Sequence, residues 1–295
     1  MTMPRTGPVK PMLCKLQMES DLPILTSTKN YIFEPKLDGT RMITVVHNGE
    51  VRMWARSGIE RTNLFPDLKF ACTKDCVLDG EVISGNSFNN IQHRANRVNG
   101  IEQAVKDYPA KYVVFDIISL EGTSLYNQPL MTRKAILTLV CLETDNVKPI
   151  QYVDDGVALF NAMKANQLEG VVGKTKTGFY YENKREWVKV KCWQDSQFAV
   201  VGYTQGTGWR ASTFGALVLA DTNGFFVGEV GTGFTEAAIK SIFAMMAPNI
   251  QLVPPMPTLK VPEKVTWVKP FMVNVRFLEK TNQGQLRFPA YKGIV

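Results

Sequence analysis

An Asn48-Gly49 dipeptide lies between two alternating runs, MITVVH (42–47) and EVRMWA (50–55). Alternation of this kind is typical of strands that bury one face, and Asn-Gly is the strongest short signal for a two-residue hairpin turn. An earlier apolar run, YIF (31–33), comes shortly before the turn-forming KLDG (36–39). The sequence therefore predicts a strand that Lys36 leaves, followed by a β-hairpin that Arg41 enters.

Further strands and helices are predicted up to residue 193. Short β-branched and apolar runs predict strands at 77–83, 112–120, 169–174 and 187–193. Thr132 is a candidate N-cap for RKAILTLVCLE (133–143), and Asp154 or Asp155 for GVALFNAMKAN (156–166). The expected fold class of this part is α+β, with sheets flanked by helices.

The sequence pattern changes after Trp193. Short strands alternate with glycine turns, and an amphipathic segment, TEAAIKSIFAMMA (235–247), precedes a proline-rich loop and a closing pair of strands at 271–279 and 285–291. Short strands with glycine turns and one helix are typical of a small β-barrel of the OB type. We therefore predict two domains, residues 1–193 and residues 194–295.

The chain carries a formal net charge of +7. Excess positive charge favours polyanions, and on charge alone these are nucleic acid or an anionic membrane surface. No apolar run reaches the roughly 18 residues that span a bilayer, and the N-terminal MTMPRTGPVKP lacks the apolar core of a secretory signal. We therefore expect a cytoplasmic protein without membrane association.

The five cysteines are odd in number and scattered, so they predict no disulfide framework. Cys72 and Cys76 are separated by three residues, but no second Cys/His pair completes a zinc site and the chain has only two histidines. A structural zinc ion is not expected.

Lys36 is a candidate nucleophile with basic residues around it. A lysine attacks only as the free amine, which requires burial or nearby positive charge. Arg41 lies in the same hairpin and Arg56 ends the next strand, while Lys189 and Lys191 share one face of a late strand because side chains repeat every two residues. Such a cluster would also bind the phosphates of a nucleotide.

Two carboxylates complete the constellation. Glu81 and Glu169 each precede a valine in a strand context, and each is a suitable partner for a ribose hydroxyl or a magnesium ion. Taken singly, each of these carboxylates is by default an exposed residue at a strand end, and KLDGTR also fits a solvated turn. Only their combination favours a catalytic site.

The combination resembles a known family. KLDGTR (36–41) is similar to the signature of the covalent nucleotidyltransferases, in which the lysine takes a nucleoside monophosphate onto its amine. Matching segments follow in the same order: ARSG (55–58), LDGEV (78–82), VVFDII (113–118), EGVVGK (169–174) and WVKVK (187–191). VGYTQGTGWRASTFGALVLA (201–220) resembles the opening of the OB domain of ATP-dependent DNA ligases. The resemblance covers nearly the whole chain and is to the minimal two-domain type.

This resemblance implies a reaction and its participants. The lysine would attack the α-phosphorus of ATP with Mg²⁺ or Mn²⁺ as cofactor, pass AMP to the 5′-phosphate of nicked double-stranded DNA, and the 3′-hydroxyl would then seal the strand. The enzyme is expected to be a monomer, and the sequence identifies no accessory protein.

The resemblance also assigns roles to individual residues. Catalytic roles fall to Lys36, Arg41, Lys189 and Lys191. Glu34 would contact the adenine, Phe115 would stack on it, and Glu81 would contact the ribose. The other expected nucleotide-binding residues are Lys36, Arg41, Arg56, Glu169, Lys174, Lys189 and Lys191. The metal would be held by Glu169 and Glu81, and DNA by Arg56, Arg94, Arg97, Arg210, Arg287 and Lys292.

The chain departs from the family pattern at its end. Larger members often end in a basic motif with an arginine followed by Asp-Lys, whereas LRFPAYKGIV offers Arg287 and Lys292 as substitutes and no aspartate. No helical DNA-binding domain is expected before Met12. One alternative is an RNA ligase or a capping-type enzyme, but the OB-domain segment FGALVLA (214–220) is evidence against both. The other alternative is a non-catalytic nucleic-acid-binding protein of the same fold. The absence of zinc-finger cysteines makes NAD-dependent ligation the weaker reading.

Overall fold

The structure is a computed structural model that describes residues 9–85, 88–97, 99–259, 261, 264–281 and 283–295, with backbone only at 88 and 89. The chain divides into two compact units, Met1–Cys192 and Trp193–Val295. The sequence placed this division one residue later. No helix in the described ranges is long and apolar enough to cross a membrane.

The first unit combines strands with helices. Its strands are β1 (Leu13–Gln17), β2 (Tyr31–Pro35), β3 (Thr40–His47), β4 (Glu50–Ala55), β5 (Ala71–Cys72), β6 (Cys76–Ile83), β7 (Lys111–Leu120), β8 (Thr123–Ser124), β9 (Cys141–Leu142), β10 (Val147–Pro149), β11 (Gly170–Thr175) and β12 (Arg185–Lys191). Its helices are α1 (Leu22–Ser27), α2 (Phe88–Ala95), α3 (Ile101–Asp107), α4 (Leu130–Val140) and α5 (Gly156–Ala165), with short 3-10 turns at Glu19–Asp21 and Thr62–Leu64.

Two main sheets form the frame of this unit. The smaller sheet has the order β1-β12-β11-β2, in which β1 and β12 are parallel and the other pairs antiparallel. The larger sheet has the order β10-β7-β6-β3-β4, with β8 on β7. A separate two-stranded ladder joins β5 to β9. The combination of mainly antiparallel sheets with helices is the α+β class that the sequence predicted.

The two main sheets face each other across a shared apolar layer. Met12 and Trp187 from the side of the smaller sheet pack in one cluster with Ile43, Val77 and Ile118 from the larger sheet. Because side chains alternate along each strand, every second residue points to the face of its sheet away from this layer. On that face, the larger sheet buries a second core beneath α2 and α4, and the smaller sheet buries a third core beneath α1 and α5. Polar side chains on the inner faces therefore lie between two layers.

The second unit is built on one antiparallel sheet and one α-helix. Its strands are β13 (Gln194–Gln205), β14 (Phe214–Ala220), β15 (Phe226–Val230), β16 (Ile250–Gln251), β17 (Thr266–Phe277) and β18 (Ala290–Ile294). Its helix is α6 (Glu236–Met246), with 3-10 turns at Gly208–Arg210 and Ala247–Asn249. The sheet order is β15-β14-β13-β17-β16, with β18 also on β17. The apolar face of α6 packs into the concave core of the sheet.

Backbone hydrogen bonds bring the two edges of this sheet together. Leu286 N donates to Val227 O over 2.8 Å, and Tyr291 N donates to Thr232 O over 2.9 Å. Two single hydrogen bonds, rather than a continuous strand ladder, therefore connect β18 and the residues before it to β15 and the residues after β15. A strongly curved sheet of this order with one helix is consistent with the predicted OB type.

Some predicted elements have different bounds in the structure. The helix predicted at 133–143 begins at Leu130 with Pro129 as N-cap and ends at Val140, so Thr132 is not its cap. The strand predicted at 285–291 is wrong over most of its length, because β18 begins only at Ala290, after Pro289. Of the two predicted cap candidates for α5, Asp155 is the N-cap, since its side chain accepts a hydrogen bond from Ala158 N.

Candidate active site

Lys36 occupies the loop position directly after β2. Its backbone N donates to Gly170 O over 2.8 Å, so the loop is tied to the first residue of β11. Its side-chain Nζ lies 2.5 Å from Glu169 Oε2, and its side chain is 20% exposed. The predicted nucleophile is thus held in place by its own backbone while its amine reaches the space between the sheets.

Two glycines allow this arrangement through close backbone approaches. A Cβ on Gly39 would lie 2.2 Å from Val82 O, so the turn after Lys36 passes directly over β6. Gly170 has a φ of +140°, and a Cβ there would lie 2.0 Å from Val190 O. Only glycine fits at these two positions, which explains why the KLDG turn and the start of EGVVGK contain it.

Glu169 lies between two amines. Its Oε2 contacts Lys36, and its Oε1 lies 3.5 Å from Lys191 Nζ. The register Gly170↔Lys191 of the β11–β12 pair brings Lys191 to this carboxylate. Burial lowers the pKa of Lys191, and the neighbouring Glu169 carboxylate opposes that shift only in part. Lys189 shares the face of β12 that carries Lys191, as period-two alternation predicted.

Arg41 is engaged in a buried ion pair rather than directed at an open space. Its Nε and Nη2 donate to the two carboxylate oxygens of Asp79 over 2.8 Å and 2.6 Å, and Nη1 donates to Met12 O over 2.5 Å. Its guanidinium also lies 5.2 Å from the Phe115 ring centre and 5.3 Å from that of Trp187. Burial alone would lower the pKa of Arg41, but the ion pair with Asp79 raises it above its ordinary value.

Glu81 lies two residues after Asp79 on β6, so its side chain faces the same inner layer. The β3–β6 pair places Glu81 directly opposite Arg41. Burial raises the pKa of the Glu81 carboxyl to about 8, although Lys36 and Arg41 oppose the shift. Within the described part of the chain, this carboxyl has no hydrogen-bond or ion-pair partner. Near neutral pH it is therefore available to donate or accept a hydrogen bond.

Glu34, the predicted adenine contact, lies in a buried cluster with two lysines. The Glu34 residue is 2% exposed, Lys174 Nζ lies 2.7 Å from its Oε2, and Lys134 Nζ contacts its Oε1. Burial lowers the pKa of Lys174 to about 8, with Glu34 acting in the opposite direction. The Lys174 amine also lies 4.4 Å from the centre of the Phe115 ring, so Phe115 adjoins this cluster.

Several charged residues of the inner layer were not identified from the sequence. Asp116 and Arg133 are fully buried and form a two-point ion pair with distances of 2.7 Å and 2.8 Å. Tyr180 donates its hydroxyl hydrogen to Asp79 Oδ2 over 2.7 Å. The sequence does carry one signal for these contacts, an aspartate inside an apolar strand run: Asp79 in 77–83 and Asp116 in 112–120. A carboxylate that is buried in a strand requires a polar or charged partner.

The structure corrects one predicted DNA contact. Arg94 is fully buried, and its guanidinium donates to Leu64 O, Tyr108 O and the carboxylate of Asp67. It cannot reach a phosphate in this fold, because α2 directs it into the protein. Arg97, from the same segment, is partly exposed and donates to Gly100 O over 3.5 Å.

The other predicted DNA contacts lie at or near the surface. Arg56 follows β4 and is exposed, and Lys292 is exposed on β18. Arg210 is partly buried, and its Nη1 donates to Gly215 O and Gly231 O over 3.1 Å and 3.0 Å. Arg287 forms an ion pair with Glu279. These last two residues brace loops of the second unit.

The fold and the site together define a class. A two-sheet unit holds a lysine at a strand end beside a carboxylate and further basic residues, and an OB-type unit follows it. This arrangement is that of a covalent nucleotidyltransferase with a C-terminal OB-type domain.

Comparisons with known proteins identify the family. The ATP dependent DNA ligase domain matches residues 11–191, and the ATP dependent DNA ligase C terminal region matches residues 210–294. This chain belongs to the ATP-dependent DNA ligase family, as the sequence motifs predicted.

Curated relatives and solved structures agree with this assignment. The chain is 33% identical over 285 residues to the multifunctional non-homologous end joining protein LigD of Mycolicibacterium smegmatis, covering 90% of this chain but 36% of that protein. It is 30% identical over 273 residues to the SPbeta prophage-derived DNA ligase-like protein LigB of Bacillus subtilis, covering 90% of this chain and 92% of that protein. The crystal structure of the ligase domain from M. tuberculosis LigD matches with a TM-score of 0.55 and 26% identity, covering 97% of this chain and 95% of that chain. The chain thus spans about a third of the length of the mycobacterial relative.

Proposed function

We propose that this protein is an ATP-dependent DNA ligase that seals nicks between 3′-hydroxyl and 5′-phosphate ends through a covalent lysyl-AMP intermediate. The observation that supports it most is the placement of Lys36, whose Nζ lies 2.5 Å from Glu169 on the family's fold. The LigD relatives are named for non-homologous end joining, and a relative from Pyrobaculum islandicum is named DNA ligase.

The first step would be self-adenylation. The free amine of Lys36 attacks the α-phosphorus of ATP, a nitrogen–phosphorus bond forms, the bond to the β-phosphate oxygen breaks, and pyrophosphate leaves. The attacking nitrogen gives up its proton to solvent. Phosphoryl transfer depends mainly on positioning and on neutralisation of charge, so Lys189 and Lys191 would contact the α-phosphate. Arg41 would act by positioning, because its nitrogens are engaged with Asp79 and Met12.

The carboxylates of the site fit a divalent metal ion. Mg²⁺ or Mn²⁺ takes hard oxygen ligands, and Mg²⁺ is usually held by one or two carboxylates together with phosphate and water. Glu169 and Glu81 would hold it, since both face the Lys36 amine and the Glu81 carboxyl has no protein partner in the described residues. When bound, the ion would supply positive charge against the triphosphate.

The two later steps would take place on nicked double-stranded DNA. A 5′-phosphate oxygen attacks the AMP phosphorus and releases the Lys36 amine, after which the 3′-hydroxyl attacks the 5′-phosphorus and releases AMP. The DNA backbone would be contacted by Arg56, Arg97, Arg210, Arg287 and Lys292. We propose that the protein acts as a monomer in the cytoplasm, where ATP and DNA are both present.

Label transfer tests this function. The protein is first treated with pyrophosphate to remove any AMP already bound, then incubated with Mg²⁺ and separately α-labelled ATP, GTP or labelled NAD. The proposal predicts label from ATP alone that survives denaturation and moves onto nicked DNA when DNA is added. Label from GTP or NAD instead, or no covalent label from any donor, would contradict it.

A further inference from the structure

Three cysteines belong to the core that the larger sheet buries beneath α2 and α4. Cys72 ends β5, Cys76 begins β6 and Cys141 begins β9. All are free thiols, and Cys72 and Cys141 lie opposite each other on paired strands. The proposed ligation mechanism uses none of them.

The backbone register places Cys72 and Cys141 directly opposite each other. They are Cα partners in the antiparallel β5–β9 ladder, and Thr73 N donates to Val140 O over 2.9 Å. This bond flanks the pair, so Cys72 and Cys141 occupy a non-hydrogen-bonded position. At such positions opposing Cα atoms are about 4.5 Å apart, within the roughly 4.4–6.8 Å range of disulfides. The register therefore places the two residues at a spacing at which a disulfide can form.

Exposure and hydrogen bonding distinguish the three thiols. Cys72 is partly exposed, whereas Cys76 is 3% and Cys141 1% exposed. Hydrogen bonds from the Cys141 and Cys76 thiols hold the pKa of Cys72 well below its usual range. The hydrogen bond to Cys72 and burial raise the pKa of Cys141 and of Cys76. Since the thiolate is the reactive form, the thiol that solvent reaches is also the nucleophile.

We propose that Cys72 and Cys141 form a reversible disulfide when the protein meets a hydroperoxide. The Cys72 thiolate attacks one peroxide oxygen, which gives a sulfenic acid and, after protonation, releases water from hydrogen peroxide. The Cys141 thiol then attacks the Cys72 sulfur, the S–S bond forms, and a second water leaves. Two thiols are oxidised and one peroxide is reduced. An added dithiol then reduces the disulfide back to two thiols and is itself oxidised to a disulfide.

The disulfide would constrain the helix that supports the active site. Cys141 directly follows α4, and α4 carries Arg133 and Lys134, which bind Asp116 and Glu34. A covalent link from the end of α4 to Cys72 closes a long loop, so it restricts the unfolded chain. The oxidised protein should therefore unfold at a temperature several degrees higher than the reduced protein.

Thiol counting with peptide mapping tests the proposal. The full chain is fully reduced, freed of reductant, treated with one equivalent of hydrogen peroxide, alkylated and digested without reduction. Free thiols should fall from the five of the chain to about three, and mass spectrometry should find a Cys72–Cys141 linked peptide. Dithiothreitol should restore all five thiols and the lower melting temperature. Retention of all five thiols, irreversible sulfinic acid at Cys72, or linkage of Cys72 to Cys76 would each overturn the proposal.

Two matched variants separate the partners of Cys72. Cys141→Ala should abolish the disulfide and the rise in melting temperature, whereas Cys76→Ala should retain both. Circular dichroism confirms that each variant is folded, and the wild-type peptide map decides the linkage even if one variant does not fold. Equal disulfide yield in Cys141→Ala and Cys76→Ala would contradict the assignment. The test is independent of ligation and of ATP.

Discussion

The guanidinium of Arg41 and the carboxylate of Asp79 form a two-point ion pair, and further hydrogen bonds of the same two residues join the larger sheet to the smaller one. Both residues belong to the larger sheet, where they lie on neighbouring strands. Arg41 also donates to Met12 O, and Asp79 accepts from Tyr180, so two segments flanking the smaller sheet are joined to the same pair. A residue that the family resemblance placed at the nucleotide thus also fixes the relative position of the two layers.

Replacing Arg41 by lysine should destabilise the protein strongly. Lysine cannot reproduce the two-point contact, and a weakened buried pair leaves the Asp79 charge poorly compensated, which costs about 3 kcal/mol or more. Urea unfolding of Arg41→Lys measures the free energy of unfolding. Arg52→Lys is the matched control, because Arg52 pairs with Glu60 on the exposed surface and its replacement should leave stability nearly unchanged. Equal losses in the two variants would refute the structural role of Arg41.

Arg94 and Arg97 should respond oppositely to replacement by alanine. Arg94→Ala leaves two carbonyl oxygens without this donor and Asp67 without its ion-pair partner, although Ala110 N still donates to Asp67, so it should lower the free energy of unfolding by about 3 kcal/mol. Arg97→Ala should leave stability unchanged and weaken binding to nicked DNA, reducing the slope of log K against log salt by about 0.9 if one phosphate contact is lost. Fluorescence anisotropy across a salt series measures the slope. A folded Arg94→Ala with weakened DNA binding would restore the sequence-based assignment.

Glu81 should make stability depend on pH in a defined window. Its pKa is about 8 in the folded protein against 4.5 as the reference value, so between these pH values the folded state holds a proton that the unfolded state has lost. Stability should therefore fall as pH rises from about 4.5 to about 8 and level off above. Glu81→Gln removes this dependence, so its stability relative to wild type should increase across the window. Chemical denaturation without metal at each pH measures this.

Glu102→Gln is the control for that series, because Glu102 is exposed on α3. The difference in free energy of unfolding between Glu102→Gln and wild type should be the same at every pH. A constant difference between Glu81→Gln and wild type from pH 5 to pH 8 would show that burial does not keep the Glu81 carboxyl protonated.

Lys134 should stabilise the protein through Glu34. Lys134→Met keeps the length of the side chain but leaves the buried Glu34 carboxylate with Lys174 as its remaining ion-pair partner, at a cost of about 3 kcal/mol. Lys164→Met is the control, since Lys164 pairs with Glu19 at the surface and should have little effect. A double-mutant cycle with Glu34→Gln measures the coupling. Additive losses would mean that Lys134 and Glu34 act independently.

The sequence predicted the parts of the site that depend on local pattern. Strand ends, turn glycines and period-two alternation placed Lys36 after β2 and put Lys189 and Lys191 on one face of β12. The sequence narrowed the N-cap of α5 to Asp154 or Asp155, and the structure shows that it is Asp155. These features require only nearest neighbours along the chain.

The residues that the sequence missed depend on contacts between distant segments. Lys134 meets Glu34 across a separation of 100 residues, and this requires α4 to dock on β7. Cys141 reaches Cys72 through a two-residue strand that no periodicity reports. Arg94 looked solvent-facing in a polar segment, but helical spacing turns it inward beside Ile91 and Ala95. Pairing of this kind is decided by packing, which local pattern does not specify.

The most direct test of the account compares Lys36→Ala with Lys15→Ala, which replaces an exposed lysine on β1, the strand at the opposite edge of the smaller sheet from β2. Each folded variant is incubated with α-labelled ATP and Mg²⁺, denatured, and scored for covalent label and for nick sealing. Wild type and Lys15→Ala should be labelled and should seal nicks. Lys36→Ala should give no covalent label and no sealing with ATP, yet should still join a nick that is supplied already adenylated. Covalent labelling of Lys36→Ala at the wild-type level, or nick sealing by it with ATP at the wild-type rate, would contradict the account.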